Sequence, residues 1–86
     1  MQGKVLIIED VKDLADVVSL YLDKEGFESR SVESAEDAFA VLAGWEPELI
    51  ILDINLPGID GFEFLQQFRR KKDTPVIIVS ARDSDE

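Results

Sequence analysis

Three acidic residues and one hydroxyl stand directly after short aliphatic runs. Glu9 and Asp10 follow Val5-Leu6-Ile7-Ile8, Asp53 follows Leu49-Ile50-Ile51-Leu52, and Ser80 follows Val76-Ile77-Ile78-Val79. An unbroken apolar run of this length, stopped by polar residues, is the pattern of a strand covered on both faces, as in parallel sheets. In an open α/β sheet, ligands bind outside the carboxyl ends of the strands. Side by side, these runs would bring three carboxylates and a hydroxyl to one crevice. Close carboxylates repel one another, and a hard divalent cation with oxygen ligands relieves that repulsion. Taken singly, an acid after a strand reads as a helix cap or turn residue. Asp10 suits that plain reading, since it precedes a helical pattern and has Asp13 three residues on. Asp53 does not, because no helix starts directly after it. The combination at matching strand ends favours a cation-dependent site.

The elements between these runs must be helices and one weaker strand. From Val11 to about Glu25, Val11, Leu14, Val18 and Leu22 recur at helical spacing, and Gly26 stands where a left-handed terminating residue is expected. Phe27–Val32 is a weaker strand with polar Glu28, Ser29, Arg30 and Ser31 in it, and reads as an edge strand. Ser34-Ala35-Glu36-Asp37 is close to a capping box and opens a helix with an apolar stripe of Ala35, Ala38, Phe39 and Leu42, stopped by Gly44. A turn region from Leu56 to Gly61 leads to a third helix bearing Phe64, Leu65 and Phe68. Its basic end, Arg69 to Lys72, complements the helix dipole. Pro57 and Gly58 let the chain turn sharply, and Gly61 relieves crowding where that helix begins. The order β-α-β-α-β-α-β predicts a parallel α/β sheet with helices on its faces and right-handed crossovers.

Composition narrows the chemistry. The 86 residues allow a single domain, and 9 Lys+Arg against 19 Asp+Glu give a net charge of −10. Such a balance argues against nucleic-acid binding by this segment, since phosphate backbones need basic surfaces. With no cysteine and no histidine there is no disulfide, no thiol nucleophile and no zinc-type site, which leaves oxygen-ligated Mg²⁺, Ca²⁺ or Mn²⁺. No apolar stretch approaches the ~20 residues of a membrane span. The segment from Met1 to Asp10 lacks the apolar core of a signal peptide. A cytoplasmic, acidic domain without membrane contact is expected. Neither glycine fingerprint of the nucleotide-binding loops is present.

The three motifs, Val5 to Asp10, Leu49 to Gly61 and Val76 to Arg82, resemble the receiver domain of two-component response regulators. Within that family the chain resembles the receivers that precede winged-helix DNA-binding domains. The resemblance implies a flavodoxin-like fold, here β1-α1-β2-α2-β3-α3-β4 with strand order 2-1-3-4. It implies that Asp53 is the phosphoacceptor, taking a phosphoryl group from a sensor histidine kinase. Glu9, Asp10, Asp53 and the backbone carbonyl of Asn55 would hold Mg²⁺, Ser80 would be the switch hydroxyl, and the Asn55 side chain would tune hydrolysis of the acyl phosphate. Such a domain is not an enzyme beyond self-phosphorylation and self-dephosphorylation. An aspartyl-phosphate hydrolase needs a second acid two residues past the nucleophile, where Asn55 stands.

Complete receivers have five strands and five helices, so residues 1–86 are expected to form one receiver-like domain lacking the last helix, strand and helix. The lysine that the family places at the end of its fifth strand is missing with them. The fourth strand then becomes an apolar edge, and faces of the first and third strands lie uncovered. This predicts a homo-oligomer paired or swapped through the fourth strand; the alternative function is a structural or self-assembling unit without phosphotransfer. Trp45 reads as a loop aromatic over a helix end, Tyr21 as a helix-edge residue, Arg69 to Lys72 as a capping group, and Asp83 to Glu86 as a frayed helix start. The first helix near Val11, Leu14 and Ala15 would be the kinase docking face.

Overall fold

A computed structural model describes residues 3–54, 56 and 60–79. It contains β1 (Lys4–Ile8), α1 (Lys12–Lys24), β2 (Glu28–Val32), α2 (Ala35–Leu42), β3 (Leu49–Asp53), α3 (Gly61–Arg69) and β4 (Val76–Val79). The four strands are parallel in the order β2-β1-β3-β4. The element order agrees with the sequence pattern and the 2-1-3-4 arrangement with what the resemblance implies, and β2 is an edge.

Strand alternation divides the core into two layers. On one face Leu6, Ile8, Ile50 and Leu52 pack against Ala35 and Ala38 of α2 and Phe64 and Phe68 of α3. Phe64 is fully buried and sits 4.9 Å from the Phe39 ring and 5.7 Å from the Phe68 ring. On the other face Val5 and Ile7 pack against Ala15 of α1, with Val18, Leu22, Leu49 and Ile51 at the margin.

Local signals set the helix ends. Ser34 Oγ accepts from the Asp37 N–H at 3.1 Å, and Asp60 Oδ1 accepts from the Glu63 N–H at 2.9 Å. Gly26 has φ 91°, which lets the Phe27 N–H reach the Leu22 carbonyl at 2.9 Å and close α1. At the end of α3 the Arg69 guanidinium donates to the Thr74 carbonyl at 2.7 Å, which ties the helix end to the loop before β4.

Several expectations need correction. Gly44 lies just past α2 without a positive φ, so that helix ends without a left-handed glycine. Val11 and Leu14 are 45% and 41% exposed, because α1 turns Ala15 to the sheet and carries the other two on its flank. Ala15 therefore belongs to the core and not to an exposed docking face. Trp45 is buried in the core, with the Arg30 guanidinium 4.6 Å from its ring centroid. Tyr21 is exposed on α1, in keeping with its reading as a helix-edge residue. The inner face of β1 is covered, since α1 shields Val5 and Ile7, whereas Ile51 of β3 is only half-buried. The β4 edge is open as expected, with Ile77 51% and Ile78 48% exposed. The turn at Pro57 and Gly58, the segment Ala81–Arg82 and the acidic tail lie outside the described residues.

Candidate functional site

The site is built by strand register. Ile8 of β1 is paired with Leu52 of β3, and Asp53 with Val79 of β4. The residues that follow Ile8 and Leu52, Glu9 and Asp53, therefore emerge side by side at the carboxyl edge, one strand spacing of ~4.8 Å apart. Both are buried, Glu9 at 7% and Asp53 at 3% exposure, while Asp10 is exposed. One carboxylate oxygen from each of Glu9, Asp10 and Asp53 can be chosen so that all three lie within 4.8 Å of one another.

The neighbouring backbone holds these residues in place. Glu9 N–H donates to the Val32 carbonyl at 3.0 Å, and Glu9 Oε2 accepts from the Val11 N–H at 3.0 Å. The N-cap of α1 is thus Val11, without a side-chain cap of its own, and Asp10 does not serve as the helix cap. Sequence reasoning missed this bond, which Glu9 makes from two residues before the N-cap. Past Asp53, the Ile54 N–H donates to the Val79 carbonyl at 3.2 Å and the Ile54 carbonyl accepts from the Gly61 N–H at 3.1 Å.

Burial pushes the Glu9 carboxyl above the usual carboxylate range. The Val11 N–H opposes that shift, while a hydrogen bond with Asp53 and the charges of Asp53 and Asp10 reinforce it. Carboxylates crowd here, and a divalent cation can relieve their repulsion. Oxygens sharing one Mg²⁺ lie about 3–4 Å apart, so the cluster needs only a small contraction to hold the ion, with water completing the shell. The residues present fit the ion.

Of the site residues expected from the sequence, Glu9, Asp10 and Asp53 are brought together. Ser80 and Asn55 lie outside the described residues. Ser80 follows Val79, the register partner of Asp53, directly in the chain.

A parallel sheet in this order, with helices on both faces and acids gathered at its carboxyl edge, defines a flavodoxin-like α/β protein with an acidic edge. Residues 5–86 match the response regulator receiver domain family, and the chain belongs to that family. Among solved structures it is similar to the receiver domain of the Francisella response regulator 1452, at 28% identity and a TM-score of 0.88, over 96% of this chain and 69% of that one. It is likewise similar to the BeF3-activated N-terminal receiver domain of Klebsiella pneumoniae RstA, at 29% identity and a TM-score of 0.89, over 96% and 71%. A fusion carrying the yeast Spc42 trimeric coiled coil matches at 30% identity and a TM-score of 0.89 over 98% of this chain, which spans 56% of that longer one. Receiver domains are the phosphoacceptor modules of two-component signalling, partnered by sensor histidine kinases; they bind Mg²⁺ at an acidic pocket and are not enzymes in the ordinary sense.

Proposed function

We propose that Asp53 accepts a phosphoryl group from the phosphohistidine of a sensor kinase, with Mg²⁺ held by Glu9, Asp10, Asp53 and the backbone carbonyl of Asn55. The observation that carries this reading is the buried Asp53 carboxylate with Glu9 and Asp10 oxygens within 4.8 Å at the carboxyl edge of the sheet. An Asp53 oxygen attacks phosphorus as the N–P bond of the donor breaks. The bonding pair leaves on the imidazole nitrogen, and the product is an acyl phosphate. Bound Mg²⁺ supplies charge neutralisation for the incoming group, which adds roughly −1.5 to −2 beside existing carboxylates.

Within this reading the chain's own residues have separate tasks. Glu9, anchored by the Val11 N–H, keeps its carboxylate beside Asp53. Asp10 is exposed and binds where water shares the ion. Ser80 supplies a hydroxyl to the phosphoryl oxygens, and the Asn55 side chain sets how fast the acyl phosphate hydrolyses. Self-phosphorylation from a small donor and self-dephosphorylation follow from the same residues. No described helix is long and apolar enough to cross a membrane, in keeping with a cytoplasmic setting beside a kinase. The half-exposed Ile77, Ile78 and Val79 on the β4 edge support pairing with a second copy. A purely structural unit without phosphotransfer is the less favoured reading, because nothing in such a role calls for buried acids side by side.

Incubation with Mg²⁺ and a small phosphodonor, followed by intact mass measurement, tests the assignment. One phosphoryl increment is expected in the parent chain and none in Asp53→Asn. An increment of the same size in Asp53→Asn moves the acceptor elsewhere.

A further inference from the structure

Gly61 is the first residue of α3, and its backbone touches the acceptor strand. A β-carbon placed there would lie 2.7 Å from Ile54 Cα and 2.9 Å from the Asp53 carbonyl oxygen. Both are backbone atoms, which no side-chain rotation can clear, and the Ile54 Cδ1 methyl is a further 3.1 Å neighbour. The approach is a closed one. Gly61 N–H donates to the Ile54 carbonyl at 3.1 Å, while the Ile54 N–H donates to the Val79 carbonyl at 3.2 Å. Ile54 is therefore clamped between β4 and the start of α3, directly after the buried Asp53. The Asp60 cap of Glu63 N–H holds the helix end in register with that clamp.

Gly61 is not there for a left-handed backbone, since Gly26 alone among the described glycines has a positive φ. What the position requires is the missing side chain. Gly44 offers the contrast within the same protein: a β-carbon there meets nothing within 4 Å.

Building on the proposed acceptor role of Asp53, we propose that Gly61 is a positioning residue for it. By letting the N-terminus of α3 close on the Asp53 and Ile54 backbone, it fixes the direction in which the acceptor carboxylate meets Glu9 and Asp10. An added methyl separates α3 from β3 by the shortfall from an ordinary contact of about 3.4 Å or more, and that displacement falls on the backbone of the carboxylate that must share the cation. Support of this kind around a metal-binding side chain is worth roughly 10- to 100-fold in affinity.

The test compares Gly61→Ala with Gly44→Ala, the same chemical change in open space. Mg²⁺ binding is followed by titration calorimetry, phosphorylation from the small donor by intact mass, and stability by urea unfolding. Gly61→Ala is expected to weaken Mg²⁺ binding about tenfold or more and to slow phosphoryl uptake, with the increment still lost on Asp53→Asn; Gly44→Ala binds and reacts as the parent does. If Gly61→Ala unfolds in buffer, the comparison is run in an osmolyte that restores the folded state without contacting the site. Parental Mg²⁺ affinity and uptake in folded Gly61→Ala overturn the proposal and reduce Gly61 to a packing residue. Uptake that persists in Asp53→Asn instead overturns the acceptor assignment on which it rests.

Discussion

Replacing Asp53 by asparagine is expected to stabilise the metal-free protein at neutral pH, although it removes the proposed acceptor. Glu9, Asp10 and Asp53 offer oxygens within 4.8 Å, and two of the three residues are buried. Two unit charges at that distance repel by about 3.5 kcal/mol at an effective dielectric near 20. Asp10 is exposed and screened, so the repulsion felt by Asp53 is smaller than two full pairs. Against the relief stands the hydrogen bond between Asp53 and Glu9, which the asparagine amide can remake to a carboxylate. The net gain is about 1–2 kcal/mol, equivalent to roughly 5–10 °C in Tm for a chain of this size. Urea and thermal unfolding at pH 7 in chelator read it directly. The pH dependence carries the sign: the folded-state pKa of Glu9 is raised, so its contribution favours folding below the ordinary carboxylate value and is lost as pH rises through the raised value. Asp53→Asn flattens that decline. Mg²⁺ reverses the ranking, because saturation at 100 times Kd stabilises the parent by about 2.7 kcal/mol and leaves the variant nearly unmoved. An Asp53→Asn protein equal to or less stable than the parent in chelator would refute the claim that crowded carboxylates strain the apo fold.

Phe64→Ala empties the centre of the aromatic cluster with Phe39 and Phe68 and costs about 3–5 kcal/mol, enough to unfold much of a small domain, as circular dichroism will show. Asp60→Ala removes the bond to the Glu63 N–H at the head of α3 and costs about 1 kcal/mol in urea unfolding; Ser34→Ala at α2 costs a similar amount, but only the first reaches the site. Exchanging Asp53 and Ile54 keeps the composition and charge while turning the carboxylate to the other side of the strand. Mg²⁺-dependent stabilisation and the phosphoryl increment are both expected to vanish, and their survival would show that Mg²⁺ acts by general screening.

The sheet was legible because β1, β3 and β4 are unbroken aliphatic runs and β2 is not, so both the buried strands and the polar edge announce themselves in residue type. The three site acids were legible for the same reason, as charges abruptly ending those runs. What could not be read concerns tertiary choice. Trp45 sits in a connection with no period, and its place in the core, with Arg30 from fifteen positions earlier lying across the ring, is set by tertiary packing. The apolar stripe of α1 is wider than its contact with the sheet. Spacing alone therefore did not distinguish Ala15, which is buried, from Val11 and Leu14, which are not. The Glu9 bond to Val11 was hidden because Asp10 looked like the better cap.

The register of β1 against β3 explains why the acids occupy the positions they do. Ile8 and Leu52 face each other within one core layer, and a carboxylate at either place would be buried among Ala35, Ala38 and Phe64 with no cation in reach. One residue further on, the chain leaves that layer and the same two groups meet at the edge of the sheet, where water and an ion can approach. A slip of one residue in either strand would put an acid into the core or separate the pair. The crowding that disfavours the apo state and the geometry that suits a shared cation are therefore one feature, set by a register that the flanking aliphatic runs enforce. Stability is supplied at a distance by the Phe64 layer and by α1, while the edge is left strained. The clamp of Ile54 between Val79 and Gly61 holds the backbone on which that crowding falls.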